Sequence, residues 1–194
     1  MRASCTTSKL ESGQDSPLST NLIVNSTYTY LVFEIREPQL ADAEWITHAC
    51  QDTEIQRWTL VPRPYKQEHA LGFIENTINE AHRWVIEQQE TNEAVGVVSI
   101  HTIDLSTGDA DTGYWIAPWG RRRGAAVHAL YLVEQFALTI PSIKFLSAHI
   151  AETNVASRAT ASRAGFTNMG PSAQSCPDGD NQVPALTYVK HLTR

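Results

Sequence analysis

The stretch GYWIAPWGRRRGAA, Gly113 to Ala126, gathers residue types that suit an anion. Arg121, Arg122 and Arg123 offer charge-assisted donors. Gly124, Ala125 and Ala126 are small, so a bulky group can approach the backbone, and Gly124 can take a φ that other residues avoid. An aromatic strand ending in a proline precedes them and an apolar helical pattern follows. They therefore stand at a helix start, where unpaired N–H groups and the helix dipole favour negative charge. A phosphate or pyrophosphate is the expected occupant. By themselves the arginines read better as a solvated basic turn that binds nothing. A dinucleotide loop is excluded, because GxGxxG is absent and no early βαβ unit surrounds the turn.

The rest of the chain makes this basic run local. Its 194 residues carry 15 Lys and Arg against 21 Asp and Glu, a formal net charge of -6. Nucleic acid is not an expected partner, because a phosphate backbone needs a broad basic footprint. Cys5, Cys50 and Cys176 are odd in number and lack a CxxC pair. A disulfide framework and a zinc knuckle are therefore not expected, and no metal ligand spacing is present. A reducing, cytoplasmic setting follows. No apolar run is long enough to span a membrane, and the start lacks the order of a signal peptide. Residues 1–26 are polar and read as a mobile tail, with one domain over 27–194.

The elements that must position the arginine loop can be traced by period. TYTYLVFEIR alternates, with Leu31, Phe33 and Ile35 on one face, and predicts a strand that Pro38 ends. Asp42 is a predicted cap for a helix through Ala43, Ile46 and Ala49. DTEIQRWTLVPRPY, with its two prolines, reads as turn-like. A second helix is expected from about Glu68 to His82, striped by Ala70, Ile74, Ile78 and Ala81. WVIEQQ and AVGVVSIHTI predict antiparallel strands, and TGYWIA a third. A helix to about Leu138 carries an apolar face broad enough to cover a sheet. IKFLSAHI is a strand, Asn154 to Ala164 a short helix stopped by Gly165, and LTYVKHL a last strand after a long loop. This order predicts an α+β domain with one mixed sheet and helices on its faces.

Arg121 to Ala126 also resembles the Q/R-x-x-G-x-G/A loop of the GNAT superfamily of acetyltransferases. GYWIAP before it, and NVASRATASRAGF with Asn154, Ser157, Gly165 and Phe166 after it, are similar to members related to the ribosomal-protein N-acetyltransferases. DTEIQRWTLVPRPY resembles their substrate-side segment. The likeness spans roughly residues 28–192. Arg122 stands where many relatives have glycine, which bears on contacts to the adenosine phosphates.

The resemblance implies a single, mostly antiparallel sheet of six to seven strands, splayed at the centre to hold acetyl-CoA as co-substrate. Trp115, Ile116 and Ala117 would pair with the pantetheine arm. The backbone of Arg121 to Ala126 would meet the pyrophosphate, and Asn154 and Ser157 would contact the arm near the thiol. The implied reaction is attack of a primary amine on the thioester. It needs a neutral amine, an N–H donor for the carbonyl oxygen and a proton donor for the leaving thiolate. The tyrosine that many relatives place four residues before the Gly-Phe pair is replaced by Ala161, so Ser157 is the expected donor. The Ile116 N–H is the expected oxygen donor.

For the base, Asp111 is the first candidate; His101 and His149 are others, and each could instead be a packed or solvated residue. Trp58, Tyr65, Trp84 and His101, with Trp115, are candidates to line the acceptor pocket. Asp104, Asp109 and Asp111 could attract a cationic amine. The expected acceptor is a protein N-terminus or a small amine, and the expected assembly a monomer or homodimer. Two other functions stay open: an acyl-CoA-binding protein without turnover, and a protein-interaction domain without cofactor.

Overall fold

The computed structural model describes residues 32–193. The polar segment 1–26, Cys5 and the start of the first expected strand lie outside the described residues. Seven strands form one sheet in the order β1-β2-β3-β4-β5-β7-β6. They are β1 (Phe33–Arg36), β2 (His82–Gln88), β3 (Glu93–Asp104), β4 (Asp109–Ile116), β5 (Phe145–Ala151), β6 (Thr167–Asp178) and β7 (Asn181–His191). All neighbours are antiparallel except β4 and β5. The helices are α1 (Ala43–Ala49), α2 (Thr53–Trp58), α3 (Gln67–Ile74), α4 (Ala125–Leu138) and α5 (Val155–Arg163).

Side-chain alternation along β4 separates two cores. Ala110, Tyr114 and Ile116 face a cluster with Ala129, Leu130 and Val133 of α4 and Ala161 of α5. Trp115 and Ala117 face a second cluster with Ile46, Ile55 and Ile74 from α1, α2 and α3. The broad apolar stripe of α4 thus does what its width predicts and covers the sheet.

Four local readings are corrected. DTEIQRW is not a plain turn: Asp52 caps α2 through its carboxylate, which accepts from the N–H groups of Glu54 and Ile55 at 3.1 and 2.9 Å. The helix expected to His82 stops at Ile74, because Asn76 and Asn79 both take a positive φ of 59° and His82 opens β2. The long loop before the last strand is itself strand β6, which forms a hairpin with β7. Its Gly, Pro and Ser content is accommodated by two register shifts. Asp42 does occupy the cap position of α1, but its side chain does not cap it.

The Asp42 carboxylate instead locks β1 to the α1 region. It accepts from Arg36 at 2.8 and 2.9 Å, the Gln39 N–H at 2.7 Å and the Trp45 indole at 2.7 Å, while Arg36 also reaches Glu87 at 2.6 Å. Burial pushes this carboxyl up, but Arg36, Gln39 and Trp45 outweigh it and hold it below the usual range. A depressed folded pKa contributes stability above the unfolded value, lost as pH falls through the folded one. Asp42→Asn should therefore lower stability at pH 7 by about 1–3 kcal/mol, read by urea unfolding. Its difference from the parent protein should shrink as pH falls below about 4.

Candidate active site

The site begins where the parallel pairing ends. β4 and β5 pair over Asp109–Phe145, Ala110–Leu146 and Asp111–Ser147. Beyond that β4 continues to Ile116 beside β3 alone, and β5 to Ala151 beside β7 alone. The two strands diverge and leave the edge of β4 open. The Ala117 N–H donates to Val95 on the β3 side at 2.9 Å. Backbone groups alternate along an antiparallel strand, so the Ile116 and Tyr114 N–H groups point to the open edge. The Ile116 carbonyl agrees: it accepts from Arg121 Nε at 3.2 Å.

The arginine loop lies at the end of this opening. Gly124 has φ 84° and heads α4, whose first turn has no side-chain cap. A Cβ on Gly124 would meet nothing within 4 Å, so its φ and not crowding demands glycine. The three arginines diverge. Arg121 pairs with the Asp52 carboxylate, and Arg123 reaches Glu93 at 3.2 Å and Gln88 at 3.4 Å. Arg122, at φ 63°, is exposed and makes no side-chain bond among the described residues. An uncapped helix start, a free guanidinium and an open strand edge in sequence fit a phosphorylated ligand with an amide-bearing arm.

On the α5 side, Asn154 caps that helix by accepting from the Ser157 N–H at 3.0 Å. Ser157 Oγ lies 2.9 Å from the Tyr114 hydroxyl. Tyr114 was not foreseen. Burial pushes its phenol up, against hydrogen bonds with Ser157 and Thr160, so it keeps its proton at neutral pH. It spans the divergence, from β4 to the helix that follows β5.

The opposite face of the sheet is polar. Asp111 and Gly113 on β4, Ser147 and His149 on β5, and Ser99 and His101 on β3 share it. Burial raises the Asp111 carboxyl above the usual range; His101 and His149 offset only part of this, and Asp109 adds to it. His149 Nδ1 meets Ser172 Oγ at 2.8 Å. Ser147 Oγ and Asp109 Oδ1 are buried without a hydrogen-bond partner among the described residues. His101 bonds Glu80, a residue that the sequence did not single out.

The other expected site residues are not gathered here. Trp84 packs in the α4-side core at 4.9 Å from the Phe136 ring, away from the polar face. Tyr65 is buried in the second core against His69. The Trp58 indole donates to Glu54 at 3.1 Å. Asp104 binds its own turn, accepting from Ser106 N–H and Oγ at 2.8 and 2.6 Å and from Thr107 Oγ1 at 2.9 Å. Among the described residues no cluster of His, Cys, Asp and Glu could hold a metal, and no helix is long and apolar enough to cross a membrane.

Comparison with known proteins identifies the family. The family model described as an acetyltransferase (GNAT) domain matches residues 33–167. The chain therefore belongs to the GNAT acetyltransferases, and acetyl-CoA is its co-substrate. The uncharacterized N-acetyltransferase YoaA of Bacillus subtilis is 25% identical over 134 residues, 66% of this chain and 76% of that one. RimJ of Mycobacterium smegmatis, solved with CoA-disulfide, superposes with a TM-score of 0.72 at 20% identity, covering 84% of this chain and 83% of that one. Spermidine N-acetyltransferase of Vibrio cholerae, solved with CoA and spermine, gives 0.69 at 16% identity, covering 82% and 95%.

Close packing at the polar face yields one check. A Cβ on Gly113 would lie 2.4 Å from His101 Nε2. Gly113→Ala should cost about 1–3 kcal/mol by overpacking, measured by thermal unfolding. Most of that penalty should vanish in a His101→Ala background, giving a large coupling in the double-mutant cycle.

Proposed function

We propose that this enzyme acetylates a primary amine, on a protein N-terminus or a small molecule, by direct attack in a ternary complex. The carrying observation is that one strand, β4, presents an open backbone edge between two different chemistries. Tyr114 and Ser157 lie to one side of it, and Asp111 with the two histidines to the other. The pantetheine arm fits along Trp115, Ile116 and Ala117, and the pyrophosphate at Arg121 to Ala126, with Arg122 the unpaired arginine. Asn154 and Ser157 flank the arm near the thiol.

Ser157 is assigned as donor to the leaving thiolate, backed by Tyr114. That pair supplies a phenol by another route where Ala161 has removed the expected tyrosine, which favours turnover over mere acyl-CoA binding. The Ile116 N–H is assigned to the developing oxyanion. Asp111 lies on the amine side, where its charge draws the ammonium form of the acceptor to the polar face. Trp58, on α2, belongs to the acceptor side of this proposal, whereas Tyr65 packs in the second core. A cytoplasmic setting is part of it too, since Cys50 and Cys176 are free thiols.

Calorimetric titration with acetyl-CoA, with dephospho-CoA as control, tests the cofactor assignment. Saturable binding that weakens in Gly124→Glu is expected, and no binding at millimolar acetyl-CoA would overturn it. Thiol release with a serine-initiated hexapeptide or spermidine as acceptor tests the reaction. Ser157→Ala should lose about 10²-fold in kcat with acetyl-CoA affinity kept. Unchanged turnover would remove Ser157 from its role.

A further inference from the structure

His101 occupies an irregular position in an otherwise regular strand pair. Ile100 pairs with Thr112 and Thr102 pairs with Asp111, so His101 is the extra residue of a β-bulge. Bulges re-aim a side chain. Here the ring is laid over Gly113, whose missing Cβ makes room for Nε2. The other ring nitrogen is fixed: Nδ1 lies 2.9 Å from Glu80 Oε1. Glu80 is held in turn. It accepts from Ser99 Oγ at 2.8 Å, and Asn76 clamps its backbone by two 3.0 Å bonds, one in each direction. Asn76 does this from its positive φ, in the turn that cuts α3 short. A helix end, a bulge and a glycine thus converge on one imidazole.

We propose that His101 takes the proton from the acceptor amine through Nε2, and that Glu80 is its positioning residue. This rests on the acetyl-transfer reading above. A carboxylate on Nδ1 selects the tautomer with the proton on Nδ1 and leaves the Nε2 lone pair bare. Nε2 then lies over Gly113 of β4, two residues before Trp115 and on the same face of the strand. The half-exposed ring, with 42% of its side chain accessible, can pass the proton to solvent. The step balances. The ammonium loses one proton to His101, the N–C bond forms and the C–S bond breaks. Sulfur leaves with a proton from the Ser157–Tyr114 pair, which the second proton from nitrogen restores.

The groups facing His101 are Glu80 from the α3–β2 segment and Asp111 from β4. Arg83 on β2 is occupied by the carbonyls of Phe73 and Ile74, while His149 and Asp109 act on Asp111. Burial lowers the His101 imidazolium, but the Glu80 bond and the two carboxylate charges more than offset it and leave it above its ordinary value. The base must be neutral, so kcat/KM should rise with pH through that value.

The test has two parts. Two-bond ¹H–¹⁵N spectra should show His101 protonated at Nδ1 once neutral. In Glu80→Gln its titration midpoint should fall and the tautomer preference weaken. With acetyl-CoA and whichever of the serine-initiated hexapeptide or spermidine is acetylated, Glu80→Gln should move the acid limb of kcat/KM to lower pH. It should also reduce the plateau by on the order of 10-fold. His101→Gln should lose about 10²–10³-fold and the limb itself, with acetyl-CoA affinity kept as the check on folding. An unmoved midpoint and limb in Glu80→Gln, or near-normal rates in His101→Gln, overturn this inference alone. Failure of the parent protein to acetylate either amine overturns the functional reading, and this inference with it.

Discussion

Parallel contact between β4 and β5 lasts for three residue pairs, and the candidate active site depends on its stopping there. A buried strand edge is costly unless its N–H and C=O groups find partners. In most sheets the next strand supplies them. Here β5 turns toward β7, and β4 stays on β3. The edge so exposed ends at a helix start with no side-chain cap. A ligand that carries amides in its arm and phosphates at its end satisfies both deficits at once. The fold does not decorate a finished sheet with a pocket; it leaves the sheet incomplete in the shape of its co-substrate.

A single strand can serve both ends of the reaction because its side chains alternate. Tyr114 goes to the α4 and α5 side, into an apolar setting that keeps the phenol protonated. Asp111 and Gly113 go to the other side, where the Asp111 carboxyl and the His101 imidazolium are both raised from their ordinary values. The Tyr114–Ser157 pair and the carboxylate–imidazole group are thereby separated by the thickness of one backbone. On the proposed roles, this keeps the proton donor and the proton acceptor from neutralising each other.

Periodicity made most of the fold legible, since α4 and β2 to β5 have cores that read directly as stripes and alternations. It failed where local chemistry ruled. β6 is rich in Gly, Pro and Ser, and is held by pairing with β7 rather than by propensity, so it looked like a loop. α3 was read too long because Ile78 continues its stripe, although Asn76 and Asn79 had already turned the chain and left Ile78 59% exposed. Ser157, Asp111 and the arginine loop, all assigned from motif positions, lie in or beside the β4–β5 divergence, with Ser157 at the head of α5. Tyr114 and Glu80 were not foreseen, because each acts through a partner far along the chain. Tyr114 meets a residue 43 positions away and Glu80 one 21 away. An Asn with positive φ just before an acidic residue was the available signal for Glu80, and it becomes readable only once the bulge at His101 is seen. Trp84 shows the reverse case, an aromatic whose type suited a pocket and whose strand face sent it to the core.

The arginine run itself divides its labour. Three like charges in a row repel, and a regular backbone would leave them competing for one anion. The positive φ at Arg122 breaks the run into separate directions. Arg121 turns back to Asp52, whose carboxylate also caps α2, and Arg123 turns to Glu93 at the start of β3. Those two charges are balanced within the chain, and they fix the loop between an acceptor-side helix and the sheet. α2 is in turn tied at its far end, through Arg57 to Asp178 at 2.6 Å beside the β6–β7 turn. The loop's geometry is thus set before any ligand arrives, and the one charge left unbalanced is Arg122. Two of the three arginines thus hold the third, and the backbone beneath it, in place, and on the proposed reading that place is the phosphate's.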